Sequence, residues 1–89
     1  MAMDHLTRHL QSNEVVDDFV GAAAANQIHE ELFIEHLNRS AQLAKMTPLA
    51  LLAEVKRRMA DDHYNDVMLG SLPDWIRPVF GLEPRTALV

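Results

Sequence analysis

The sequence predicts an all-α fold, a small helical bundle, on three observations. Residues 14–46 contain one glycine and no proline, with helix-forming composition throughout. Thr47-Pro48 reads as the end of one helix and the start of the next, because Pro48 disfavours helical geometry at Thr47 and suits the first helical position with Thr47 as N-cap. Residues 49–67 then place Leu49, Leu52, Val55, Met59, His63 and Val67 on one face and Glu54, Arg57, Asp61 and Asn65 on the other, the spacing of an amphipathic helix.

The elements follow in order. Residues 3–11 predict a short N-terminal helix, with Leu6 and Leu10 at i,i+4 and Asp4 as its cap. Ser12-Asn13 punctuates, either residue capping the next helix, and Glu14, Asp17 and Asp18 fall in its first turns, where the helix dipole favours acids. An unbroken helix over 14–46 extends roughly 50 Å, against a diameter of roughly 30 Å for a globule of this length. The expectation is a long helix bent near Gly21, or packed along a second helix, or covered by another chain. Its wheel shows two apolar stripes. The main one holds Val15, Val16, Phe19, Ala22, Ala23, Phe33, Ile34, Leu37, Ala41 and Ala44, interrupted by Asn26 and Glu30. The second holds Ala24, Ala25, Ile28, Leu32, Leu43 and Met46, and a helix apolar on two faces is buried on two faces. The second long helix is expected over 48–69 with Gly70 as its stop. Three of the four prolines, Pro73, Pro78 and Pro84, lie in the irregular segment beyond. That segment carries Leu72, Trp75, Ile76, Val79, Phe80 and Leu82 and is too apolar for a solvated tail. It is expected to pack across the helices.

Eighty-nine residues make one domain, with its core over 14–69 and the C-terminal segment at 70–89. A chain this short buries only about 60% of the surface its unfolded form exposes, and with no cysteine it has no disulfide or thiolate metal site. Completion of the bundle by dimerisation is therefore expected. No signal-peptide pattern or membrane-length apolar run is present, so a cytoplasmic location is expected.

The formal charge is -5, which opposes a general grip on nucleic acid or an anionic membrane. Its distribution is polarised. Residues 14–35 hold Glu14, Asp17, Asp18, Glu30, Glu31 and Glu35 and no Lys or Arg; residues 36–60 hold Arg39, Lys45, Lys56, Arg57 and Arg58 against Glu54.

No arrangement of nucleophile and base is apparent, since Ser12, Ser40 and Ser71 suit caps or helix surface. No enzymatic activity and no cofactor are expected. His5 and His9 stand at i,i+4, a spacing able to ligate a metal, but their helix is short and terminal. His29 and His36 share a face a heptad apart without forming HExxH or ExxH, and His63 reads as a rim histidine. The leading expectation is a small acidic interaction module, a regulator, adaptor or inhibitor of a protein partner, itself a homodimer. The residues expected to meet a partner or a second copy are Ile28, Leu32, Glu31, Glu35, Leu43, Trp75, Ile76 and Phe80. Two alternatives stand beside it: a DNA-binding regulator using Lys56, Arg57 and Arg58, and a helical metal or cofactor binder using the histidines.

Overall fold

The structure, a computed structural model, describes residues 11–84, which are all-α with no strand among them. α1 is Ser12–Ala24, a 3-10 turn spans Glu30–Leu32, α2 is Phe33–Ala44, α3 is Pro48–Ala60, α4 is Asp66–Ser71, and a second 3-10 turn spans Pro78–Phe80. The short helix expected over residues 3–11, with His5 and His9, lies outside the described residues apart from Gln11. None of the described helices is long and apolar enough to cross a membrane.

Gln11, not Ser12 or Asn13, caps α1, and its N–H donates to Glu14 Oε1 at 3.0 Å. Ser12 turns its hydroxyl instead to the Ala44 carbonyl, 2.8 Å away. That bond ties the start of α1 to the end of α2, so the two helices run antiparallel.

Residues 14–46 are not one helix, and Gly21 is not the break. Gly21 sits inside α1 with open space where a Cβ would stand. The chain turns at Asn26, φ 59°, where the Asn26 N–H bonds the Ala23 carbonyl at 3.1 Å and the Gln27 N–H bonds the Ala22 carbonyl at 2.9 Å. This pair of bonds is the Schellman helix end, which needs one left-handed residue, and a short polar side chain tolerates that conformation better than most. Lys45 ends α2 and Asp62 ends α3 in the same way, at φ 59° and 58°, with Met46 N–H on the Ala41 carbonyl and His63 N–H on the Arg58 carbonyl.

The second long helix is likewise two. Thr47 caps α3 through Oγ1, which accepts from the Ala50 N–H at 3.1 Å, and Pro48 opens the helix. α3 stops at Ala60, nine residues before the expected end. Asn65 starts α4 by accepting from the Met68 N–H at 2.8 Å, and Gly70 lies within that short helix.

The core gathers one face of each helix and the C-terminal segment. Val16, Phe19, Val20 and Ala23 of α1 meet Leu37 and Ala41 of α2, Leu51, Val55 and Met59 of α3, and Leu72, Ile76 and Phe80. Full burial of each large side chain contributes roughly 1.5–3 kcal/mol. Phe80 stands edge-on to Phe19 at 6.0 Å between centroids, Trp75 edge-on to Phe33 at 5.6 Å, and Phe19 and Phe33 lie 6.2 Å apart. The aromatic chain thus closes the C-terminal segment over the α1–α2 pair. Arg77 fastens it from outside, donating to the carbonyls of Leu69 at 2.7 Å and Glu83 at 2.6 Å. Along α3 the buried face runs through Leu51, Val55, Arg58 and Met59; Leu49 and Val67, expected inside, are exposed.

Candidate functional site

The densest polar constellation forms where α1 crosses α3. Arg58 lies one turn after Glu54 and on the same face as Leu51 and Val55, so the helix carries its guanidinium inward; only 8% of the residue is exposed. Its Nη1 donates to Asp17 Oδ1 at 2.8 Å and to the Asn13 carbonyl at 3.1 Å, and its Nε donates to Glu54 Oε2 at 2.8 Å. The left-handed turn at Asp62 then brings the chain back over α1. Tyr64 Oη donates to the same Asp17 Oδ1 at 2.9 Å, and His63 Nε2 lies 3.4 Å from it. A shallow cavity of about 310 Å³ opens in front of Asp17, His63, Tyr64, Asn65 and Met68.

Electrostatics fix the protonation of two of these groups. Hydrogen bonds from Arg57 and Arg58 hold the Glu54 carboxyl down at about 2. Burial, reinforced by the bond to Asp17, pushes the Tyr64 hydroxyl up to about 12, so at neutral pH it is a donor. Asp17 Oδ1 therefore takes a guanidinium and a phenol at once. That convergence makes a strut between α1, α3 and the 61–65 loop.

The strut changes the reading of Lys56, Arg57 and Arg58 as one exposed basic cluster. Arg58 points into the protein. Arg57 is exposed but forks Glu54, with Nη2 at 2.6 Å and Nε at 3.1 Å, and reaches Asp61 with Nη1 at 3.0 Å. Only Lys56 of the three stands in solvent with no ion pair among the described residues.

The residues expected at a partner surface divide sharply. Ile28, Ile76 and Phe80 belong to the core, and are taken up by the chain's own packing. Trp75 is half-buried against Phe33. Glu31, Leu32, Glu35 and Leu43 are exposed. The main stripe expected on one long helix is instead shared by two helices folded back at Asn26, with Val15, Val16, Phe19, Ala23, Leu37, Ala41 and Ala44 buried and Ile34 exposed, while the second stripe divides into a buried Ile28 and exposed Leu32 and Leu43.

Two surface features result. The first is an edge around the start of α2, where the 3-10 turn is closed by Leu32 N–H on the His29 carbonyl at 2.9 Å. Here Leu32 is 46% exposed and Ile34 62% exposed, between Glu30, Glu31 and Glu35, all exposed. Sequence pattern places Ile34 in the core; the acids flanking it were the available sign that it is not. The second is a groove of about 230 Å³ between α1 and α2, lined by Val15, Phe19 and Ala22 on one wall and His36, Arg39 and Leu43 on the other, with Asp18 and Ser40 at its margins. Of the remaining histidines, His29 is exposed and His36 forms part of this groove. Among the described residues no three His, Cys, Asp or Glu side chains are grouped to hold a metal ion. Comparison with protein-family models, with curated proteins and with solved structures finds no match for this chain.

Proposed function

We propose that the chain is a non-enzymatic protein–protein interaction module, a small acidic regulator, adaptor or inhibitor, which docks through the edge formed by Glu30, Glu31, Leu32, Ile34 and Glu35. The observation that carries this reading is the exposure of Leu32 and Ile34 beside a core that closes without them. The dipole of α2 accounts for acids at its N-terminus. It does not account for two large apolar side chains held in water among them, and apolar groups rimmed by charge favour docking. The complementary partner carries an apolar pocket bordered by Lys or Arg, with the charges steering encounter. Paired with its own copy, this edge would set carboxylate against carboxylate. The homodimer that is also part of the proposal accordingly uses another face, leaving the edge open.

The test immobilises the wild-type chain, Leu32→Ser/Ile34→Ser, and Glu30→Lys/Glu31→Lys/Glu35→Lys, each checked for helix content by circular dichroism, and challenges them with lysate from the source. A discrete protein held by wild type, released by salt and lost with both variants supports the proposal. The same proteins retained by all three forms contradict it.

A further inference from the structure

We infer that the α1–α2 groove is the face on which a second copy of this chain docks, with α1 of each copy lying over α2 of the other. The inference rests on the homodimer reading and names its surface. The α1 wall of the groove is apolar through Val15, Phe19 and Ala22, and an exposed Leu43 stands on the α2 wall. Its two walls carry opposite charges: Asp18 stands on α1 and Arg39 on α2, both exposed, and neither forms an ion pair among the described residues.

The bond from Ser12 to Ala44 fixes the antiparallel register of the two helices. In that register Val15 lies level with Ala41, Ala22 with Ile34, and Asp18 with Asn38, the neighbour of Arg39. A two-fold axis along the groove keeps each level and exchanges the walls. Asp18 of each copy then faces Arg39 of the other, and Leu43 of each meets the Val15 end of the other's α1 wall. This is the self-complementarity an isologous interface requires, in which residue i meets j and j meets i. An axis across the groove at the level of Asp18 instead stacks Asp18 on Asp18 and Arg39 near Arg39, so charge selects the first arrangement. Helices of this length present a footprint of about 20 Å by 20 Å, which places the interface at the weak end of specific association. A concentration-dependent dimer is expected.

Sedimentation equilibrium of the full chain over a concentration series tests this, with Asp18→Arg, Arg39→Asp and the double exchange, each checked by circular dichroism. Both positions are exposed, so the folded state tolerates the changes. The expected result is a wild-type average mass rising from 10.1 kDa toward twice that value. Each single variant weakens self-association by about tenfold or more, because like charges then face each other. The double exchange restores it, and an equimolar mixture of the two single variants associates. A dimer indifferent to all three variants overturns the groove while leaving the homodimer standing. A monomer at every concentration overturns both, and a groove that binds a different protein instead does the same.

Discussion

Arg58→Ala is expected to destabilise the protein by about 2–3 kcal/mol, a magnitude set by what the guanidinium leaves behind. Hydrogen bonds to charged groups contribute about 1.5–3 kcal/mol each, and removing one member of a fully buried ion pair costs about 3–5 kcal/mol because the other is stranded without water. The survivors here are not stranded. The Asp17 side chain is 45% exposed and keeps the Tyr64 hydroxyl, while that of Glu54 is 22% exposed and keeps Arg57. The carbonyl of Asn13 loses the donor at 3.1 Å, and the stem of Arg58 leaves a gap beside Val55. The total therefore falls below the fully buried case and well above the roughly 0.5 kcal/mol of an ordinary surface substitution. Urea denaturation followed by circular dichroism reads it as a lower midpoint at unchanged slope, and for a domain of this size Tm falls by about 8–24 °C. A loss under about 0.5 kcal/mol refutes the strut. That outcome, joined to loss of DNA binding, is what a phosphate-contacting Arg58 predicts instead.

Three further outcomes follow from the same geometry. The Glu54 carboxyl is held at about 2, below its ordinary 4.5, so its contribution is complete above pH 4.5 and is lost as pH falls toward 2; Glu54→Gln is expected to flatten that acid limb of a stability–pH curve, and an unchanged limb contradicts the assignment. Tyr64 is the only tyrosine in the chain, so ultraviolet titration of phenolate absorbance isolates it: ionisation is expected near 12 in the folded protein and near 10.0 in denaturant, with the stability it confers present below pH 10.0 and lost as pH rises through 12, and a folded-state midpoint near 10.0 contradicts its burial together with the bond to Asp17. Gly21→Ala adds a methyl to open space inside α1 and is expected to stabilise by about 0.5–1 kcal/mol, whereas a break at Gly21 makes the same change destabilising in denaturant titration.

Local chemistry was legible in the sequence and tertiary compromise was not. Thr47-Pro48 declares a helix start because cap and ring act within three residues, and the structure places the cap there. Asn26, Lys45 and Asp62 end helices in the left-handed region, where glycine is the usual mark; glycine stands at none of them, and Gly21 and Gly70, the glycines that suggest a break and a stop, lie inside helices. Arg58 is hidden by composition, since three consecutive cations read as surface. Its spacing of seven from Leu51, three from Val55 and four from Glu54 nonetheless put it on the buried face beside an acid. Leu72, Ile76 and Phe80 follow at steps of four and all reach the core, although the backbone between them is mostly turn. The candidate edge was half visible: Glu31, Leu32 and Glu35 stand out by type, while Ile34 reads as core because it shares a helix face with Leu37 and Ala41, yet it is exposed in the first turn of α2. Asp17 and Tyr64 carry no sequence signal as a pair, because 47 residues separate them.

The most direct test of the docking edge is site-specific photocrosslinking in source cells, with a photoreactive residue replacing Ile34 in one chain and the exposed Ala53 of α3 in another. A discrete heterologous adduct is expected from position 34, abolished by Glu30→Lys/Glu31→Lys/Glu35→Lys and missing from position 53. No adduct from position 34, or the same adducts from both positions, contradicts it.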